Sequence, residues 1–508
     1  MTAQSSSKGL FGTYFKYRLG VMKINFVMCC ILNVLGLPLY AVAANVGFGG
    51  VVSEFAGTAR VFSTICIIAL PAIAIFNALA SFDYYHKKDL TDTIGVLPLS
   101  HKQRFFADLL AGLAVNAAPI IPCGIISAIV MGSAQGKLDK LEIAGDLNMA
   151  GIGMTIAMTV LLIVVFTYLF AVLTSVCCGK VFHSVIFALI AIVTLPLLFG
   201  GLARCFANGI LGIDSREYFW RAVAFFPPAG ILHVLLIRMD APFSGGIGSY
   251  ALEYDHSLVS FSFAQILVYL ILAAGIIAGA YFLSKRRLAE HTGSAFAIKP
   301  MFWVLSGGIT AAITILVLGA TYDMYDLKVS YPIISAAVGI LVCLVTILFY
   351  PQKKKTFLRS LIVGAGAVAV MLVSWLLIDK TGAFGARYYP KNPDKIESVT
   401  LNGIYTITDK DDIEIITAML NNELRKGSFY TDGGDWHDGN FYVQVEQTNG
   451  KRIARNYGNG TFGETVFRSL NGYVDYFFEE LEKNPEYWKA HLSFTTLKKP
   501  IAWIPDEK

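Results

Sequence analysis

Charge is the first thing this 508-residue sequence lacks: only 15% of its residues are Asp, Glu, Lys or Arg, while 55% are hydrophobic. A soluble globular chain carries about 25% charged residues, so most of this one is built to sit in a bilayer. Cysteine is also spare. All eight (Cys29, Cys30, Cys66, Cys123, Cys177, Cys178, Cys205 and Cys343) precede residue 380, and none has CxxC spacing. That pattern excludes a disulfide framework and a zinc site, and makes the Cys177-Cys178 pair small buried apolar residues rather than soft-metal ligands. The sequence has no G-x-x-x-x-G-K-[ST]; GSAQGK at 132–137 has the wrong spacing and lacks the terminal hydroxyl residue. HExxH and GxSxG are missing too. No ATPase is therefore encoded, an intramembrane or envelope hydrolase is disfavoured, and no catalytic residue is assigned.

Long apolar runs are plentiful. Nine stretches are long enough to span the hydrocarbon core as helices: about 25–46, 61–82, 105–131, 151–178, 181–203, 259–284, 301–320, 331–350 and 357–378. Lys and Arg are unevenly shared between the two sets of connecting segments. With the N-terminus inside, 17 fall on the inner side, among them Lys16, Arg18, Lys87, Lys88, Lys285 to Arg287 and Lys353 to Lys355, against 8 on the outer side. The positive-inside bias places the N-terminus in the cytoplasm and residues 379–508 outside, so the basic excess reflects topology and implies no nucleic-acid partner. Within the spans the polar residues are mainly Asn33, Asn77, Asn116, His183 and Gln265. Neutral groups of this kind bond between helices, which disfavours an ion-coupled transporter or a selective channel. Pro38, Pro71, Pro119, Pro122 and Pro196 read as tolerated kinks.

Ahead of the first span, Leu10, Tyr14, Tyr17, Val21 and Ile24 share one helical face, and Thr13, Lys16, Gly20 and Lys23 share the other. This spacing predicts an amphipathic lead, residues 1–24, lying on the inner membrane surface. The inner loop between the second and third spans, DYYHKKDLTDTIGVLPLSHKQRFFADLLAG, contains Ser100 and Gln103 as an S-x-x-Q capping box just after Pro98. Upstream, Asp89 to Val96 forms a short helix on the cytoplasmic side, with Ile94 and Val96 available to a partner.

The segment TIGVLPLSHKQRFFADLLA (Thr93 to Ala111) resembles the first cytoplasmic loop of permeases of the ATP-binding-cassette type-2 exporter family. A second segment, YFLSKRRLAEHTGSAFA (Tyr281 to Ala297), is similar to the basic tail that closes the six-helix unit of such permeases. The resemblance covers residues 9 to about 297. It implies an all-α polytopic fold in which residues 25–297 form a six-span permease unit and 298–378 add three helices. It also implies that Asp89, Thr93, Ile94, Val96, Leu97, Pro98, Ser100 and Gln103 form the contact with a separate ATPase subunit, which would carry ATP and Mg, this chain holding no cofactor. A second permease subunit, identical or not, would complete the pathway. In the family the outer segment between spans five and six holds a re-entrant pair of short helices; here Phe226, Pro227 and Pro228 break the apolar run EYFWRAVAFFPPAGILHVLLIRMD. A single amphipathic helix on the outer surface fits that run equally. Extra spans with an outer domain resemble permeases of Gram-positive bacterial operons that export envelope-active compounds, and imply a plasma-membrane location.

Residues 379–508 carry 20 acidic and 16 basic residues and read as a small α+β domain. Strand is expected over Ile396 to Thr408, helix over Asp411 to Lys426, a hairpin of Asn440 to Gln447 and Lys451 to Tyr457 around Asn449-Gly450, and helix over Glu464 to Lys483. The G-x-G-x-x-G of Gly458, Gly460 and Gly463 follows a hairpin strand rather than opening a βαβ unit, so it reads as a turn. The run TDGGDWHDG lacks EF-hand spacing and reads as a solvated loop. A competing function is that of an envelope sensor or assembly anchor whose outer domain binds a ligand or partner. The topology has a direct check. Single cysteines replacing Ser428 and Gly450 in a Cys-free background should react with a membrane-impermeant thiol reagent in intact cells, and one replacing Gln352 should not. Labelling at Gln352 alone would invert the orientation.

Overall fold

A computed structural model describes residues 2–47, 54–133, 135, 148–210, 215–240, 263–287, 296–321, 331–348, 354–401, 405–426 and 441–457. Among these, nine segments are long and apolar enough to cross a membrane: 23–46, 57–81, 101–132, 149–177, 181–210, 263–286, 300–321, 331–348 and 357–380. They correspond one for one to the stretches expected from hydropathy. The chain divides into two compact units, residues 1–200, 219–314 and 337–369 in the first and 201–218, 315–336 and 370–508 in the second. The second unit thus takes in more than the outer domain expected from residue 379.

In the first unit α1 (Thr2–Val21) leads through a turn at Met22 into α2 (Lys23–Gly47), followed by α3 (Glu54–Ser81). A 3-10 turn at Asp83–Tyr85 and the short α4 (Lys88–Gly95) precede the third span. That span is split into α5 (His101–Ala117) and α6 (Ile120–Gly132), because Pro119 lacks the N–H that would continue the ladder. Pro38, Pro71 and Pro196 instead stay inside their helices. The central element is α7 (Met149–Cys177), the most buried of the spans. The unit also contains α9 (Ser215–Ala224) from Phe219 onward, α10 (Ala229–Asp240), α11 (Phe263–Arg286) and parts of α8 (Val181–Ile210), α12 (Lys299–Thr321), α13 (Tyr331–Leu348) and α14 (Lys354–Lys380).

Helices in lipid gain nothing by hiding apolar surface from one another, so they associate where small residues let backbones approach. A methyl group on Gly153 would stand 2.9 Å from the Ala128 backbone, and one on Gly124 would stand 2.6 Å from Ala157, so α6 and α7 are in near contact along that seam. Polar side chains join helices as expected: Asn77 donates to Asn116 at 2.7 Å, and the Ser306 and Thr346 hydroxyls are 2.8 Å apart. Asn33 instead bonds within its own helix, to the Cys29 carbonyl.

The second unit holds a four-stranded antiparallel sheet, in the order β2 (Tyr405–Ile407), β1 (Ile396–Leu401), β3 (Phe441–Gln447), β4 (Arg452–Tyr457), covered on one face by α15 (Lys410–Lys426). The single strand expected over 396–408 is two strands, since residues 405–407 fold back on 399–401. The 449–450 hairpin is as expected, with Gly450 at φ +77°. The segment 427–440 with the TDGGDWHDG run, the Gly458–Gly463 turn and the helix expected over 464–483 lie outside the described residues. Ile413, Ile416, Leu420 and Leu424, at helical spacing, pack on Val399, Val443 and Val445.

Two arginines fasten this module to the ends of the apolar helices. After α14 the chain turns through four consecutive residues with positive φ, Gly382 to Gly385, two of them non-glycine (Ala383 and Phe384). This turn presents the Ala386 and Arg387 carbonyls to Arg455, which is 2% exposed, at 2.7 and 2.5 Å, and the Arg455 guanidinium lies 4.3 Å from the Tyr389 ring centre. Arg387 in turn donates to the Gly209 carbonyl at 2.7 Å at the end of α8. Tyr389 belongs to the sheet core and is bonded both ways by Asn421, at 2.8 and 3.2 Å. A soluble fragment beginning at Lys391 should therefore melt at least roughly 10 °C below one beginning at Thr381, having lost a buried aromatic and the acceptors of a buried arginine. Equal melting of the two fragments would show that Tyr389 and the 382–388 turn do not stabilise the module.

Candidate functional site

The loop between the second and third spans forms the two local elements expected of it. Helix α4 covers Lys88–Gly95, with Asp89 in its first turn and Thr93 bonded back to the Asp89 carbonyl at 2.8 Å. At the start of α5 the capping box is complete: Gln103 N donates to Ser100 Oγ at 3.3 Å and Ser100 N donates to Gln103 Oε1 at 3.1 Å. Between them, Leu97 and Leu99 close a tight turn through backbone bonds to Ile94 and Leu97, with Pro98 at its exposed edge.

One expected contact residue points the other way. Ile94 is only 7% exposed and, with Leu90 one turn earlier, packs into the main core, because the positions four apart on so short a helix share its inner face. Ile94 is therefore part of the support. Val96, 85% exposed, and Leu97, 39% exposed, are the apolar side chains the loop presents. Asp89, Thr93 and Ser100 are exposed around them.

The support beneath α4 is aromatic and cationic. Thr91 donates to the Tyr84 carbonyl, tying α4 to the 3-10 turn. Tyr84 and Tyr85 rings are 4.4 Å apart, Phe82 stacks on Tyr85 at 6.0 Å, and Phe105 of α5 meets Phe82 at 5.6 Å. Burial pushes both tyrosine hydroxyls upward, so they stay protonated donors. Burial and the charge of Arg287 hold half-buried His86 down to about 4, leaving it neutral at physiological pH. Arg287 crosses over Tyr85, 4.5 Å from its ring centre. It donates to the Tyr85 carbonyl and to the Ser175, Val176 and Cys178 carbonyls at 3.1, 2.6 and 2.9 Å, which satisfies the otherwise orphaned end of α7. Burial lowers the Arg287 pKa.

On the other flank Arg18 reaches in from α1. Its Nε lies 2.9 Å from Asp108 Oδ1, its terminal nitrogen 3.3 Å from Asp83, and it donates to the Ala80 carbonyl at 3.0 Å and to that of Ser81. Arg18 is 3% exposed and Asp108 not at all, and the Tyr14 hydroxyl donates to the same carboxylate at 3.4 Å. Burial works against the Arg18 charge, but Asp108 outweighs it and raises the pKa. Tyr14 is pushed up by burial and by Asp108.

Arg18, Asp83, Asp108 and Arg287 are the residues that sequence reasoning missed. An ionisable group that is not among the span residues singled out from the sequence, Asp108, sits buried within the third span. The signal was slight: one Asp in FFADLLAG, whose partner lies 90 residues away and shares no spacing with it.

The two segments that carry the family resemblance meet here. Tyr281 packs on Phe105 and Phe106 at 5.6 and 5.9 Å, His101 Nε2 and Ser284 Oγ are 2.9 Å apart, and Arg287 caps the helix beside the loop. The segment 217–240, by contrast, is two short helices, α9 and α10, broken at the Pro227-Pro228 bond, which is cis; Phe226 stacks on Phe199 at 4.4 Å, and Pro227 and Pro228 are buried. Gly230 follows the break because a methyl there would lie 1.7 Å from the Val223 carbonyl oxygen. Among the described residues no cluster of three or more His, Cys, Asp or Glu could hold a metal ion. No protein-family model, curated protein or solved structure matches the chain.

Removing one partner of a buried ion pair strands the other, at a cost of about 3–5 kcal/mol. Arg18→Met and Asp108→Leu should each lower the melting temperature in detergent, and the double variant should lie closer to the native protein than either single. Single variants that melt like the native protein would show that the pair does not hold α1 to α5.

Proposed function

We propose that this chain is the membrane-spanning permease subunit of an ATP-driven exporter, and that the exposed tip Val96-Leu97-Pro98 with α4 is where a separate ATPase subunit docks. The reading is supported chiefly by the meeting of the Thr93–Ala111 and Tyr281–Arg287 segments, which makes a stiff support with a small exposed apolar tip. A force applied at α4 passes through the Tyr84–Tyr85 pair to α3, through Phe105 to α5 and through Arg287 to α7. Loops that only connect spans have no need of such bracing. The nine membrane-length apolar helices support a multi-pass membrane protein; in this reading it sits in the plasma membrane with the N-terminus inside, as the loop charges imply, and the bilayer is a partner. The transported compound is hydrophobic or acts on the envelope, and the pathway lies between two permease subunits. The broken pair α9–α10 serves as the re-entrant outer segment.

A second reading is favoured by one observation: the sheet module is bolted to the apolar helices of its own unit through Arg387 and Arg455, as an outer sensor would require. One experiment separates the two. The tagged full-length chain, purified in mild detergent, should bring an ATPase with it. Val96→Asp should abolish that co-purification while reaching the membrane at native levels, since a charge on an 85% exposed side chain costs the fold little and the apolar contact much. Ser100→Ala, which removes a cap contributing about 1 kcal/mol, should weaken it partially. Undiminished ATPase binding by Val96→Asp, or no ATPase at all, would leave the loop a plain connection and favour the sensor.

A further inference from the structure

Helix α1 is more than the amphipathic lead its sequence pattern predicts, because it is apolar on two sides. Tyr14, which the sequence pattern groups with Leu10, Tyr17, Val21 and Ile24 on one apolar face, is 6% exposed and packs with Phe11, Leu99 and Ala107. Phe15, Leu19 and Met22 continue that contact onto Ala111 and Val115, and Arg18 lies between them on Asp108. Residues 14, 18 and 22 thus step along α5 in chain order, from Leu99 through Asp108 to Ala111 and Val115, so α1 runs beside the start of the third span.

That contact uses one side only. At 100° per residue, Leu10, Tyr17, Val21 and Ile24 fall within an arc of about 60° away from it. They are 40, 61, 48 and 69% exposed. The turn at Met22 preserves the helical phase, since Met22 N bonds to the Arg18 carbonyl at 3.2 Å and Phe26 N to that of Met22 at 2.9 Å. The same exposed stripe accordingly runs on into the first span through Met28 and Ile31, each 47% exposed. About a third of a turn from the stripe stand the exposed Lys16 and Lys23, and residues 2–24 contain no acidic residue.

We propose that this outer arc of α1 is a binding surface for anionic phospholipid of the cytoplasmic leaflet, its apolar side chains among the acyl chains and Lys16 and Lys23 on the headgroup phosphates. It rests on the multi-span reading of the chain, with the N-terminus inside. Continuity with the exposed stripe of a membrane-length helix selects lipid as the occupant, and the lysines beside it, in a segment (2–24) without acidic residues, select anionic lipid. The Arg18–Asp108 pair keys the helix in one rotational setting, so that the apolar arc and the lysines keep their places. Arg18 also holds the Ala80 and Ser81 carbonyls at the end of α3, which links the lipid surface to the strand of chain that carries α4.

The test uses full-length protein throughout. Delipidated protein titrated with phosphatidylglycerol or phosphatidylcholine and observed by native mass spectrometry should retain the first preferentially. Lys16→Glu/Lys23→Glu should weaken phosphatidylglycerol retention roughly tenfold and leave phosphatidylcholine unchanged. Lys87→Glu/Lys88→Glu, which changes exposed lysines away from the arc, should do neither. Equal weakening in both variants, or no preference in the native protein, overturns the proposal. In nanodiscs containing phosphatidylglycerol, a fluorophore on Tyr17→Cys in a Cys30→Ala background should be quenched from within the bilayer and shielded from an aqueous quencher, the other seven native cysteines being buried. Shielding from both quenchers means that protein covers the arc, and accessibility to the aqueous quencher alone means that water does; either result sinks the idea. Failure of ATPase co-purification would leave these readings untouched, so the two proposals fail separately.

Discussion

The Arg18–Asp108 ion pair is the constraint on which the loop side of the first unit depends. A carboxylate with no exposure inside an apolar bundle is tolerated only if its charge is met, and Arg18 meets it while also satisfying two carbonyls at the end of α3 and reaching Asp83. Three elements otherwise separate in sequence are held by one guanidinium. The Tyr14 hydroxyl on the same carboxylate adds a second grip from α1.

Arg287 plays the matching part on the opposite flank. The last carbonyls of α7 would be unsatisfied where the helix stops at Cys177, and a cation there is favoured both by the open acceptors and by the negative end of the helix dipole. By also bonding Tyr85 it joins the end of α11 to the loop before the third span. Between these two arginines the stacked aromatics fill the space with rigid rings, which is why a helix as short as α4 can hold a defined position although eight residues alone would not stay helical. The sheet module uses the same device: Arg455 is buried because backbone carbonyls of the positive-φ turn and the face of Tyr389 surround it.

Much was legible in the sequence because it rests on local periodicity. The nine spans follow from the length of the apolar runs, the capping box from Ser100 and Gln103 three apart, α15 from its Ile and Leu spacing, and the hairpin from Asn449-Gly450. These features need only neighbours along the chain. Pro119, which reads as a tolerated kink like Pro38, Pro71 and Pro196, instead breaks the third span into two helices. Where two alternatives were open for the outer segment, the pair of helices formed, because consecutive prolines remove two donors from any continuous helix.

What tertiary structure alone decided is which side chains face inward. Ile94 and Tyr14 carry patterns compatible with exposure and are buried, since facing elements, not their own helices, supply the covering surface. Residues 396–408 form a continuous strand-like run, yet they fold into two strands because β3 pairs with β1 along one edge and leaves β2 the other. Arg18 and Asp108, or Arg387 and the Gly209 carbonyl, lie far apart in sequence with no periodic relation, so only folding brings them together. The sequence by itself determined the helices and their order, because hydrogen bonding and hydrophobicity act over a few residues; the arginine-centred joints that fix them in place were decided by contacts between distant parts of the chain.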